Sequence, residues 1–352
     1  MIISRTPYRI SFFGGGTDYP DWYTKHCGQV LSTTIDKYLF ISCRYLPPFF
    51  NHRLRLVYSK IENCQSASEL SHPTARETLK FLNIDTGLEI HYDGDLPGRS
   101  GMGSSSAFTV GLLNALYAYQ GKVVSAHQLA KDSIHIEQNI VGETVGSQDQ
   151  VNAAYGGFNR IQFLSNGEIV VQPSAASREV VQQLTEHLML FYTGIVRTAA
   201  DVAATYVDNI LSKEKQLKRM YLMVEEAESI LSNPTNLDEF GKLLHEAWVE
   251  KRSLSSRVSN HVIDDLYETA RSAGAIGGKI AGAGGGGMLL LFVPLDKQME
   301  VRNKLHNMVH IPFRFEPKAS EIIFVDKRLG YEEKEESRNR LAQTQFVELR
   351  DI

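Results

Sequence analysis

The run Leu96-Pro97-Gly98-Arg99-Ser100-Gly101-Met102-Gly103-Ser104-Ser105-Ser106-Ala107 joins a glycine-rich turn to the start of a helix, and few folds accommodate such a joint. Glycines permit backbone conformations that a Cβ penalises, and they let main-chain N–H groups approach an anion closely. From Ala107 onward, Phe108, Leu112 and Leu116 recur at four-residue steps with Leu113 beside them. The serines therefore fall where a helix N-terminus exposes unpaired donors and a positive dipole, and a polyphosphate would be stabilised there. Read alone, the run also fits a surface turn with a serine N-cap.

Two further glycine clusters narrow that choice. One ends an extended-looking segment, Pro7-Tyr8-Arg9-Ile10-Ser11-Phe12-Phe13-Gly14-Gly15-Gly16-Thr17-Asp18. The other, Gly277-Gly278-Lys279-Ile280-Ala281-Gly282-Ala283-Gly284-Gly285-Gly286-Gly287, runs into the strand-like Met288–Val293. Each abuts regular structure, which argues for close backbone approach. A Walker A loop is excluded, because Lys279 precedes Ile280 and position 273 is Ala. Protein-kinase catalytic-loop signatures are absent as well.

In order and content the three segments resemble the three motifs of the GHMP kinases, and the resemblance spans nearly the whole chain. Pro7 to Asp18 is similar to the family's Pro-x-Arg strand with its Gly/Thr/Asp substrate loop. Pro97 to Ala107 is similar to its Gly/Ser phosphate motif, with Ser100 in place of a frequent Gly and Ser106 as an extra serine. Gly278 to Gly287 is similar to its third, glycine-rich motif. Strands mixed with helices in both halves already suggest two α+β lobes. The resemblance implies a ribosomal-protein-S5-like domain over 1–180 and a ferredoxin-like domain over 181–352.

The resemblance also implies roles. ATP would lie on Pro97, Gly98, Arg99, Ser100, Gly101, Met102, Gly103, Ser104, Ser105 and Ser106. Mg²⁺ would be held by Glu137 and Ser105, with Ser104 or Ser106 as alternatives to Ser105. Glu137 shares the stripe Ala130, Ile134, Val141, and a carboxylate pointing among apolar groups must be paired, protonated or metal-bound. Asp149 would orient the acceptor hydroxyl and take its proton late in transfer, while Arg9 stabilises charge on the moving phosphoryl. Gly15, Gly16, Thr17 and Asp18 would hold a sugar, with Gly282 and Gly284 facing the substrate. Within the family, the first motif looks most like sugar-1-kinases acting on D-glycero-D-manno-heptose 7-phosphate and on L-fucose. A sugar phosphate acceptor calls for a second basic cluster, for which Arg197 is the first candidate, ahead of Lys279 and Arg76.

A formal net charge of −4 excludes broad nucleic-acid or anionic-membrane binding, so phosphate recognition must be local. Cys27, Cys43 and Cys64 are too few and too irregular for a disulfide framework or a zinc knuckle. There is neither a signal-like start nor a run of about 20 apolar residues, which leads to the expectation of a cytoplasmic protein. A homodimer is one assembly the sequence allows.

Strands are expected between Ile2 and Val57, at Leu88–Tyr92 and at Leu188–Tyr192, with a hairpin turning at Asn166-Gly167. Helices are expected at Pro73–Leu82, Ala126–Val141, 198–232, 237–253, 262–273 and 297–310. The strand Ile322–Val325 is expected to close the second lobe, and the tail from Tyr331 is assigned no chemistry.

Overall fold

Residues Ile2 to Arg5 alternate between buried and half-buried positions, whereas every residue from Thr6 to Phe13 is buried. The same strand thus begins with one covered face and ends with two, which explains why its sequence turns continuously apolar toward the glycines. The computed structural model describes residues 1–46, 50–85, 87–196, 199–207, 210–233 and 235–326. Arg197 and the tail from Tyr331 lie outside the described residues.

The strands are β1 (Ile2–Phe13), β2 (Gly28–Tyr45), β3 (Leu54–Val57), β4 (Ile61–Cys64), β5 (Leu88–Gly94), β6 (Phe158–Phe163), β7 (Ile169–Pro173), β8 (Leu188–Tyr192), β9 (Gly277–Ile280), β10 (Met288–Phe292), β11 (Val309–His310) and β12 (Glu321–Val325). One sheet runs β12-β1-β2-β5-β3-β4, and β6 and β7 extend it from the other end of β2. The long β2 meets β5 through Leu39–Tyr45 and β6 through Gly28–Thr33. Only β3 and β5 run parallel among these pairings. The second sheet, β11-β8-β10-β9, is antiparallel throughout. The α+β reading with two lobes holds.

The expected hairpin forms, and several other boundaries differ from expectation. The β6–β7 hairpin turns where Gly167 takes a left-handed conformation and Asn166 accepts the N–H of Glu168. Helix Ala126–Ile134 continues as a π-helical turn over His135–Val141 and stops at Gly142, also left-handed. The expected helix over 297–310 ends at Lys304, and Val309–His310 pairs with β8 instead. The strand expected to close the second lobe pairs with β1, Ile2 facing Val325 and Arg5 facing Glu321. The end of the described chain therefore returns to the first sheet, where it covers an edge whose N–H and C=O groups would otherwise lie open. A simple division at residue 180 does not describe the sheets.

Helix Asp238–Arg252 joins the lobes. Its Phe240 is fully buried, with ring centroids 5.5 Å from Phe12, 5.1 Å from Phe13 and 6.4 Å from Phe292. Phe12 and Phe13 belong to β1 and Phe292 to β10, so one ring is shared by both sheets. Helix Ser104–Tyr119 is buried along most of its length and packs under β1 and β2. Among the described residues, no helix is long and apolar enough to cross a membrane. The three cysteines are unpaired.

Phe240→Ala should lower stability by about 3–5 kcal/mol, the range for an aromatic-sized cavity in a packed core. Urea unfolding followed by near-UV signal would measure it. A loss below about 1 kcal/mol would show that the lobes do not share this core.

Candidate active site

Three consecutive carbonyls of the Gly/Ser loop are committed to separate partners. Ser100 O accepts the N–H of Met288 at 3.0 Å, Gly101 O accepts Arg9 Nη1 at 2.6 Å, and Met102 O accepts the N–H of Arg9 at 3.1 Å. In a trans peptide the C=O and N–H point in opposite directions, so the amides of Gly101, Met102 and Gly103 are aimed away from these anchors. Gly103 caps the helix beginning at Ser104 with a left-handed conformation and no side-chain cap. The loop thus presents amides and an uncapped helix start together, the arrangement that receives phosphate. Pro97, Gly98 and Arg99 are exposed on its outer rim, and Ser104 is half-buried.

The glycines at this joint press on each other. Gly101 and Gly282 both have positive φ, and a Cβ on Gly101 would lie 2.5 Å from the carbonyl oxygen of Ala281. The resemblance sends Gly282 and Gly284 toward substrate. The structure seats them against chain, Gly282 on Gly101 Cα and Gly284 on the carbonyl oxygen of Val258. Close approach is achieved, but between the second and third motifs.

Arg9, buried on β1, makes a bidentate pair with Asp149 in the first turn of helix Gln148–Tyr155: Nε to Oδ1 and Nη2 to Oδ2, both 2.7 Å. The two residues predicted as catalytic are therefore brought together, beside the phosphate loop. Asp18 is also buried, and burial pushes its carboxyl up from the ordinary range, opposed by the hydrogen bond from Gly16 N–H. Its oxygens accept Gly16 N–H at 2.9 Å and Gln148 N–H at 3.3 Å, while its carbonyl takes Ser147 N–H. Thr17 is fixed too, its hydroxyl donating to Gly14 O and Gln29 O.

Glu137 sits in the π turn and is wholly buried. Its carboxylate accepts Ser106 Oγ at 2.9 Å, Thr109 Oγ1 at 2.5 Å and Gln150 Nε2 at 2.5 Å. Burial raises its carboxyl to about 7, against the lowering effect of these donors. The serine facing Glu137 is Ser106; Ser105, first choice in the sequence, is exposed. One residue turns a helix by about 100°, so the extra serine shifts which hydroxyl reaches inward. A buried carboxylate, two hydroxyls and the unpartnered Oε1 of Gln150 form a hard-oxygen set, and these residues fit Mg²⁺. Among the described residues no cluster of three or more His, Cys, Asp or Glu forms a metal centre.

Two lysines complete the site. Lys279 donates to Ser11 O at 2.9 Å and Phe12 O at 2.8 Å, which removes it as a sugar-phosphate ligand, since its ammonium is spent inside. Arg76, the other weak candidate, is bound to Glu77 and Leu70 O. Lys251 is buried and donates to Gly282 O; burial, with Arg9 adding, lowers its ammonium to about 8. Sequence reasoning missed Lys251, although it continues the buried stripe Phe240, Leu244, Ala247. It also missed Thr109 and Gln150, polar residues on otherwise buried helix faces.

Residues 69–157 match the GHMP kinases N terminal domain and residues 223–311 match the GHMP kinases C terminal domain. The chain belongs to the GHMP kinases. It is accordingly a phosphotransferase with an alcohol group as acceptor. A D-glycero-alpha-D-manno-heptose 7-phosphate kinase of Campylobacter jejuni is 29% identical over 311 residues, 84% of this chain and 91% of that one. A bifunctional fucokinase/GDP-fucose pyrophosphorylase of Arabidopsis thaliana is 27% identical over 85% of this chain, which spans 30% of that longer protein. A D-glycero-D-manno-heptose 1-phosphate kinase from Bacteroides thetaiotaomicron has the same fold. Its TM-score is 0.75 at 21% identity, covering 93% of this GHMP kinase and 100% of that chain.

The raised carboxyl of Glu137 makes stability pH-dependent. The folded state holds this proton up to about pH 7, whereas the unfolded carboxyl releases it near 4.5. In chelator-treated protein, stability from this group is full below about pH 4.5 and is lost as pH rises through about 7, a change on the order of 3 kcal/mol. Glu137→Gln should remove most of that slope, measured by denaturation between pH 5 and 8. Equal slopes in both proteins would show that Glu137 is not the group responsible.

Proposed function

We propose that this GHMP kinase transfers the terminal phosphoryl of ATP to the anomeric hydroxyl of D-glycero-D-manno-heptose 7-phosphate. The product would be the 1,7-bisphosphate, for the synthesis of nucleotide-activated heptose. The observation that carries the chemistry is the bidentate Arg9–Asp149 pair beside the phosphate loop. The choice of acceptor rests on the likeness to the Campylobacter jejuni kinase over most of both chains. L-fucose is the second reading, favoured by the likeness to the Arabidopsis protein.

In this reading the amides of Gly101, Met102 and Gly103, with the helix start at Ser104, cradle the nucleotide phosphates. Asp149 is held by Arg9 through both of its oxygens. It orients the anomeric hydroxyl and takes the proton as the new P–O bond forms. Arg9 offsets charge on the moving phosphoryl from a site with little water, where such an interaction is strong. Glu137 and Ser106 would hold Mg²⁺, which supplies charge compensation on phosphate oxygens when bound.

The sugar would enter over the loop Gly15–Asp18. Ser11 Oγ and Gln148 Oε1 are buried there without partners. A Cβ on Gly15 would stand 3.5 Å from Ser11 Oγ and 3.5 Å from Gln148 Nε2. Gly15, unlike Gly14 and Gly16, does not have positive φ. Its missing side chain therefore leaves room between hydrogen-bonding groups, and room is what a polyol needs.

Phosphorus NMR with Mg²⁺-ATP should show a new anomeric phosphate with the heptose 7-phosphate and none with L-fucose; the reverse pattern selects the second reading. Asp149→Asn should lower kcat by ~10²–10⁴-fold with nucleotide binding retained. Unchanged turnover would remove Asp149 from the mechanism. Gly15→Ala should leave Tm nearly unchanged, because the added methyl makes ordinary contacts, while raising KM for the sugar by roughly tenfold. An unaltered KM would place the sugar elsewhere.

A further inference from the structure

Lys251 occupies the last turn of helix Asp238–Arg252, on the face that Phe240 anchors to β1. Its side chain reaches the joint between the second and third glycine motifs, and its ammonium rests on the carbonyl of Gly282. Gly282 in turn lies on Gly101, whose carbonyl is held by Arg9. The ammonium is therefore one short step from the Arg9–Asp149 pair.

The cations of this cluster are unequally occupied. Arg9 commits three of its five N–H groups, two to the oxygens of Asp149 and one to Gly101 O. Lys279 spends its ammonium on two carbonyls of β1. Lys251 has three donors and one neutral acceptor, and among the described residues no carboxylate lies within 4.0 Å of it. Arg9 is near enough to repel it, and Asp18 and Asp149 attract it without pairing. A buried charge of this kind is costly unless something offsets it. The doubly charged group that a kinase brings to this place is a phosphate. A lysine suits the task, since its flexible stem lets a compact ammonium leave one acceptor for another.

We infer that Lys251 binds a phosphate oxygen during turnover, with Gly282 O as its resting partner. The inference rests on phosphoryl transfer occurring at the Arg9–Asp149 pair. The oxygen belongs either to the phosphoryl leaving the nucleotide or to the phosphate carried by the acceptor sugar. A merely structural Lys251 would staple the helix to the Gly282 loop and nothing more.

Full-length Lys251→Met and Lys251→Arg separate these roles, the first keeping length without charge and the second keeping charge. Thermal shift is read with inorganic tripolyphosphate and, separately, with D-glycero-D-manno-heptose 7-phosphate. Kinetics are read with that sugar phosphate and with the unphosphorylated heptose. Lys251→Met should lose at least one of the two thermal shifts, and Lys251→Arg should keep part of it. If the tripolyphosphate shift is lost and kcat falls roughly 100-fold with both sugars, the oxygen belongs to the phosphoryl in transfer. If the sugar-phosphate shift is lost and KM rises about tenfold for the phosphorylated sugar alone, it belongs to the acceptor. A Lys251→Met protein that keeps both wild-type shifts overturns the inference, whatever its Tm. Because the shifts need no turnover, a wild-type protein inactive on these sugars would count against the proposed acceptor while the shifts still decide Lys251.

Discussion

The site depends on one constraint: the carbonyls of Ser100, Gly101 and Met102 must all point inward. Arg9 meets two of them, through its guanidinium and its own N–H, and Met288 meets the third. Planar trans peptides then leave three successive amides no choice of direction. The cost is a backbone that only glycine tolerates at Gly101, where a methyl would collide with Ala281. Stability and the shape of the loop are consequently not separable at Arg9. The same side chain that would meet the moving phosphoryl also shapes the cradle beneath it. The loop is preorganised by these contacts, so a phosphate held there would spend little binding energy on ordering it.

Charge distribution follows from that geometry. Arg9 pairs with Asp149, while Asp18, Lys251 and Lys279 are buried nearby, and Glu137 lies apart with neutral hydrogen-bond partners. Lys279 bonds to the carbonyls of Ser11 and Phe12, just ahead of the first glycine cluster. It ties the third motif to the first, as Met288 ties it to the second. Phe240 supplies the apolar share of this junction, and the polar ties give it register. Burial lowers both lysine ammoniums from their ordinary range, which measures how little water reaches them. Among the described residues no cation pairs with Glu137, and burial, with Glu143 adding, raises its carboxyl enough for protonation near neutrality. A cation arriving there would favour the ionised form.

What the sequence made legible was local and repetitive. Glycine clusters, the helix after Ser106 and the strand Leu188–Tyr192 follow from backbone freedom and periodicity, and the choice of Arg9 and Asp149 came from the family resemblance. What stayed hidden depends on contacts between distant segments. β12 reads as another short apolar strand, and nothing in its residues says that β1 is its partner. Ser105 and Ser106 are indistinguishable in a serine run until helix phase decides which one turns inward. The π turn that carries Glu137 has no composition of its own, and its sole sequence mark is Gly142 at its end. Lys251 left a trace in continuing an apolar stripe. Lysines at helix ends usually carry their charge into water along such a stripe, and only the packing of Gly282 shows that this one does not.

Asp18 is tied to main chain in two segments of the folded chain. Read as part of a Thr-Asp loop, it is the natural ligand for vicinal hydroxyls. In the folded chain both of its oxygens hold main-chain amides, one at Gly16 and one at Gln148. A Cβ on Gly146 would fall 1.9 Å from its Oδ2, so the segment leading to helix Gln148–Tyr155 is pressed directly on the carboxylate. Asp18 thereby ties the loop Gly15–Asp18 to the turn that presents Asp149. Its neighbours Ser11 and Gln148 have unsatisfied hydrogen-bonding capacity. Each Asp18 oxygen keeps acceptor capacity beyond the one amide it holds, and a serine and an amide with unused capacity lie beside the empty Cβ position of Gly15. The buried charge ties the two segments together, and the neutral groups face the space where an acceptor would sit.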